Sequence, residues 1–211
     1  MEYSATLVSI LKLALCKCQS GCDVRTSLDN LPFCHVLIRL LAAGHPLSHD
    51  QIAQITGLPL QDLSDRLHRM DLDYNEAGRV IGAGLTLRPT PHHFEIGDRL
   101  LYTCCALDAL MYSGLLSETV RVESPCRATG QLIRVTVTPR GVTAVDPPEA
   151  VVSLVLPLPG QPPRQALCGE VHFFASAQVA QDWLAERPEA LVVPAVTAYA
   201  LGNLLIAMRG A

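Results

Sequence analysis

The chain has 211 residues, 49% of them hydrophobic, and a formal net charge of -4. These values fit one ordinary domain or two small ones around a packed core, and they exclude a general electrostatic pull toward nucleic acid or an anionic membrane surface. No apolar run reaches the ~18 unbroken residues of a membrane span, and the eight cysteines occur without a secretion signal, so the expectation is a cytoplasmic protein with mostly reduced thiols.

In chain order, Tyr3 to Leu15 reads as a helix of the mature protein, because Glu2 stands where a signal peptide needs positive charge and Lys12 interrupts the run. Phe33 to Ala43 carries Phe33, Val36, Leu37, Leu40 and Leu41 on one helical face, and Gly44 closes it. Ser48 is positioned to cap a helix over Asp50 to Thr56 that stops at Gly57, and Leu60 to Met70 follows after Pro59. Asn75 to Gly78 predicts a hairpin tip between Leu72 to Tyr74 and Val80 to Leu87. Two short helices and a hairpin make a winged-helix-like module, with DNA recognition and simple packing as its two readings. Arg66, His68 and Arg69 are balanced by Asp62, Asp65 and Asp71, which cancels the attraction for phosphate and favours packing.

The segment Arg88 to His93, rich in proline and histidine, marks a boundary, giving a module over 1–87 and a second domain over 88–211. Short strands are expected at Phe94 to Ile96 and Leu100 to Tyr102, then a helix through Cys105 that ends near Gly114. Thr119 to Ser124 and Leu132 to Thr138 predict a hairpin around Ala128 to Gly130, and Val151 to Leu156 predicts a buried strand. After the proline-rich loop Pro157 to Pro163, the expectations are a strand over Glu170 to Phe174, a helix from Ser176 through Arg187, and a closing helix over Ala195 to Met208. The fold class is α+β, a helical module followed by a mixed domain with short antiparallel sheets.

Cys105 and Asp108 stand three residues apart in the run Tyr102 to Tyr112, which puts a thiol and a proton carrier on one helical face. An isolated carboxylate among Ala, Leu and Met would have to find a partner or take up a proton. The bland alternatives are core packing for Cys105, pairing of Asp108 with Arg99 or Arg121, and a half-buried strand end for Cys168. A zinc site is weakly supported: Cys16, Cys18 and Cys22 lack paired C-x2-C knuckles, and His92, His93 and His172 lack further ligands at recognisable spacing.

Four segments follow one another in a characteristic order: Tyr102-x-x-Cys-Ala-Leu-Asp108, Arg121-Val-x-Ser-x-Cys-x-Ala-Thr-Gly130, Val151-x-Ser-Leu-Val-Leu-Pro157 and Cys168-x-x-Val-His-Phe-Phe-Ala-Ser176. Together with Gly82-x-Gly-Leu-Thr-Leu-Arg88 and Phe94-Glu-Ile96, they resemble the organomercurial lyases, also called alkylmercury lyases. The resemblance implies protonolysis of a carbon-mercury bond to a hydrocarbon and Hg(II). It implies Cys105 and Cys168 as mercury ligands and Asp108 as proton shuttle close enough to the metal to count with them; Cys126 takes a structural role. It also implies no organic cofactor, an alkyl- or arylmercury substrate, and small thiols or a mercuric reductase as Hg(II) acceptor. No nucleic acid or membrane partner is expected, and the chain would be a monomer or homodimer. Two positions depart from a well-known form of the family: Cys104 replaces tryptophan and Gly169 replaces a second cysteine. Cys104 either offers mercury an additional ligand or, because adjacent helix residues do not share a face, points away. The competing class is a thiol-based soft-metal sensor or sequestering protein.

Overall fold

Helices in the first third form where their capping signals fall. The computed structural model describes residues 24–155 and 168–207; Tyr3 to Leu15, Cys16, Cys18, Cys22 and the loop Pro157 to Pro163 lie outside the described residues. Helix α1 (Val24–Leu41) is followed by α2 (His49–Thr56) and α3 (Leu60–His68). Ser48 and Gln51 bond reciprocally to each other's backbone N–H in a capping box, and left-handed Gly57 ends α2. Phe33, Leu37 and Leu41 of α1 bury against a core that includes Ile52, Leu63 and Leu67. The Arg66 guanidinium lies 4.9 Å above the Phe33 ring, a cation-π contact.

Strands β1 (Asp73–Tyr74), β2 (Val80–Ala83), β3 (Leu85–Thr86), β4 (His92–Ile96), β5 (Arg99–Thr103), β6 (Val120–Pro125), β7 (Leu132–Thr138) and β8 (Gly141–Asp146) form one antiparallel sheet in the order β1-β2-β3-β5-β4-β6-β7-β8. The single strand expected over Val80 to Leu87 is broken at Gly84, whose φ of +94° turns the chain so that β3 pairs back on β2 and then on β5. The sheet therefore runs continuously past residue 87. Strand β8 was not anticipated: it lies at the sheet edge on β7, with mixed exposure on both faces and no clean alternation to read.

A second sheet has β9 (Val151–Leu154) at its centre, flanked by β10 (Phe173–Phe174) and β11 (Leu191–Pro194). The strand expected over Glu170 to Phe174 is thus only its last two residues. Ser176 does not cap a helix directly; its hydroxyl accepts from Val179 N in a turn that leads into the short α5 (Gln181–Ala185).

Helix α4 (Ala106–Leu116) lies across the first sheet, in contact with β4, β5, β6 and β7, and is covered by α6 (Ala195–Ala207). It is buried on nearly every side, as its continuous apolar sequence requires. The two helices approach closely at Gly202, where a Cβ would stand 2.6 Å from Met111 Cβ. The result is the expected mixture of helices and antiparallel sheet. Among the described residues, no helix is long and apolar enough to cross a membrane.

Candidate active site

The site is built at the point where β5 hands over to α4. The expected helix starts later than the sequence suggests, because Thr103 still belongs to β5 and Cys105 is the extended N-cap residue of α4, without a side-chain cap hydrogen bond. Backbone bonds fix this corner: Cys104 N donates to Gly84 O (2.8 Å), Ala106 N to Val171 O (3.2 Å), and the Thr103 hydroxyl to Cys105 O (3.1 Å). From the corner, Cys105, Asp108 and Tyr112 project along one stripe, at 0%, 1% and 5% exposure.

Asp108 finds two donors there. The Cys105 thiol donates to Oδ2 at 3.2 Å, and the Tyr112 hydroxyl donates to Oδ1 at 3.0 Å. The two arginines considered as partners bond elsewhere: Arg99 donates to Ala42 O at 2.6 Å and Arg121 to Glu95 at 3.0 Å. Tyr112 is a residue that sequence reasoning missed; its signal was a polar tip four residues after Asp108. Gly84 makes room for it, since a Cβ there would collide with the Tyr112 hydroxyl.

Cys168 reaches the same point from the second sheet. It is half-buried and stands at the head of a turn, so it does not begin a strand as expected. Ser153, fully buried on β9, anchors the backbone just beyond it: the Ser153 hydroxyl donates to Glu170 O at 2.7 Å and accepts from His172 N at 2.8 Å. A lone serine in a β-branched run was the sequence signal for that anchor. Arg187 bonds Glu170 at 2.9 Å and lies 4.7 Å above the Trp183 ring. One possible ligand atom from each of Cys105, Asp108 and Cys168 lies within 4.8 Å of the others, the only such group of three among the described residues. Two soft sulfurs and one proton carrier can grip a soft ion and move a proton beside it.

Two clefts open on either side of Cys168. One, of about 290 Å³, is lined by His92, Cys104, Cys126, Arg127, Cys168 and His172 among others; the second, of about 340 Å³, by Asp73, Thr86, Arg88, Cys104, Cys168 and Gly169 among others. Cys104 lines both clefts and precedes the helix, so the i, i+1 rule does not govern it, and it is not part of the group formed by Cys105, Asp108 and Cys168. Cys126 sits at the β6–β7 hairpin tip and accepts from Ala175 N at 3.3 Å. Burial pushes its thiol up, but hydrogen bonds from the Thr129 side chain and from the Ala175, Thr129 and Ala128 backbone outweigh that and hold it below its ordinary value. Burial, and then the Arg127 cation, hold His172 below its ordinary value against the pull of Glu170. His92 bonds Ser124 at 2.9 Å and joins no metal-ligand group among the described residues. Cys104, Cys105, Cys126 and Cys168 carry reduced thiols as expected, whereas Cys34 is disulfide-bonded.

Tyr112→Phe removes a donor from a buried carboxylate and should cost about 1 to 3 kcal/mol in urea unfolding. Gly84→Ala should be costlier alone, and the double variant should be less destabilised than the sum of the two, because the clash is with the hydroxyl that Phe lacks. A second expectation concerns pH. Between 6.5 and the lower folded value of His172, the unfolded chain binds more protons at this residue, so stability falls as pH drops through that window. Urea midpoints measured from pH 7 downward should show a shallower fall for His172→Gln.

Comparison with known proteins bears on the same region. A family model described as alkylmercury lyase (MerB) matches residues 85–207. An alkylmercury lyase of Staphylococcus epidermidis is 45% identical over 170 residues, covering 80% of this chain and 79% of that protein. One of Streptomyces lividans is 46% identical over 170 residues, with the same coverage of 80% and 79%. A crystal structure of the mercury-bound form of MerB2 shares the fold, with a TM-score of 0.78 over 98% of this chain and 100% of that one at 22% identity.

Proposed function

The chain belongs to the alkylmercury lyase family, and on that footing we propose that it cleaves the carbon-mercury bond of alkyl- and arylmercury compounds by protonolysis, releasing a hydrocarbon and Hg(II). The observation that carries the assignment of residues is the meeting of Cys105, Asp108 and Cys168 within 4.8 Å, with a Cys105–Asp108 hydrogen bond of 3.2 Å already formed.

The order of events rests on that geometry. Cys105 bonds the mercury of R–Hg⁺, and its thiol proton passes along the existing hydrogen bond to Asp108. Cys168, half-buried beside the clefts, gives up its thiol proton to solvent and adds as a second thiolate, and sulfur donation through mercury makes the bound carbon more basic. The carbon-mercury bond then breaks with its electron pair on carbon, which takes the proton from Asp108. Hydrocarbon leaves, Hg(II) stays as a bis-thiolate, and Asp108 is again a carboxylate. No oxidation state changes. The positive end of the α4 dipole favours whichever of Cys105 and Asp108 carries the negative charge, and Tyr112 holds the second oxygen of Asp108 throughout.

The chemistry is assigned to residues 88–211, with the winged-helix-like part over 1–87 acting as a packing module; the engagement of Arg66 with Phe33 supports that role. The enzyme needs no organic cofactor, works in the cytoplasm as a monomer or homodimer, and passes Hg(II) to small thiols or a mercuric reductase.

Purified protein given phenylmercury and excess small thiol should release benzene well above a protein-free control, and equality with the control would refute the proposal. Cys105→Ser and Cys168→Ser should each abolish turnover. Asp108→Ala should still capture mercury while releasing no benzene, and Cys126→Ser should lower stability with turnover largely kept. Tight Hg(II) uptake without any hydrocarbon would instead mark a sequestering protein.

A further inference from the structure

Product release poses a problem that the site itself answers. Cys105 is fully buried, so an external thiol cannot approach Hg(II) from its side. Exchange of thiolates at Hg(II) is associative: the incoming sulfur bonds the ion before the outgoing one leaves. Attack must therefore come through the clefts on either side of half-buried Cys168, and both are lined by a further thiol, that of Cys104. Cys126 lines only the first of these clefts, and its sulfur is held at the hairpin tip by the Ala175 N–H and by Thr129. The Cys104 backbone is fixed by its bond to Gly84 O, in the wall that it shares with Cys168 in both clefts.

We propose that Cys104 and Cys168 form a second, cleft-facing dithiol site onto which Hg(II) moves from the buried Cys105–Cys168 pair before an external thiol removes it. The inference rests on the lyase reading and extends it to release. In the transfer, Cys104 sulfur bonds mercury and the bond from mercury to Cys105 sulfur breaks. The proton lost by Cys104 ends on Cys105, which restores the thiol hydrogen bond to Asp108. Cys168 stays bonded throughout, and no electron is gained or lost. The ion thereby moves from a thiol at 0% exposure to a pair of half-buried cysteines that line the clefts.

The test uses the full chain loaded with one equivalent of mercuric chloride, freed of excess and mixed with a large excess of a chromogenic thiol that reports Hg(II). Cys104→Ser and Cys104→Ala should each transfer the ion at least about tenfold more slowly than the unaltered protein, as loss of a ligand shows chiefly in exchange rates. In a Cys105→Ser background, one Hg(II) should remain bound against a competing monothiol and should be lost when Cys104→Ser is added. Transfer at the unaltered rate in both Cys104 variants, or retention in the Cys105→Ser background that is indifferent to Cys104, would overturn the proposal. No carbon-mercury bond is present in this assay, so failure here is distinct from failure to release benzene.

Discussion

Asp108 is 1% exposed and accepts from the Cys105 thiol on Oδ2 and from the Tyr112 hydroxyl on Oδ1. A carboxylate left alone at that depth would cost several kcal/mol or more as an anion, so the partners are a condition of the fold as well as of the chemistry. Much of the surrounding structure serves them. Helix α4 must be buried for the acid to be shielded, Gly84 must lack a side chain for Tyr112 to reach it, and the β5 corner must hold Cys105 at the head of the helix. In the proposed cycle, the same hydrogen bond that satisfies the carboxylate is the path a proton takes when mercury displaces it from sulfur.

The two sulfurs come from separate sheets. Cys105 belongs to the corner above the eight-stranded sheet, and Cys168 to the turn that leads into the three-stranded one. Main-chain bonds clip the two together on both sides of the site, from Ala106 N to Val171 O and from Arg127 N to Phe173 O. Cys126, accepting from Ala175, adds a third clip nearby. The distance between the two sulfurs is therefore set by backbone rather than by long flexible side chains, and preorganisation of that kind is what the proposed proton transfer needs.

Legibility in the sequence followed the physics of each element. Helix α2 could be read because Ser48 and Gly57 carry local capping chemistry, α3 because it follows Pro59 with Leu60, Leu63 and Leu67 on one side, and the β6–β7 hairpin because its residues alternate around Gly130. Strand β8 could not, since an edge strand exposed on both faces has no alternation to display. The break at Gly84 was hidden because the reason for it, the Tyr112 hydroxyl, is far away in the chain. The i, i+3 spacing of Cys105 and Asp108 was informative because it is local, whereas the arrival of Cys168 and the place of Cys104 beside the clefts depend on tertiary contacts that no local pattern encodes. Motif resemblance supplied Cys168; spacing alone did not.

One local detail reaches further than its size. The N-cap of α4 is a cysteine that makes no side-chain cap bond, at a position where serine or aspartate would stabilise a helix by about 1 kcal/mol. Selection for heat resistance alone would draw this residue toward oxygen, and every such gain would discard the thiol that the proposed reaction uses. Position 105 is thus where durability and chemistry compete for a single atom, and a thermostabilised descendant of this chain would have to find its extra degrees elsewhere.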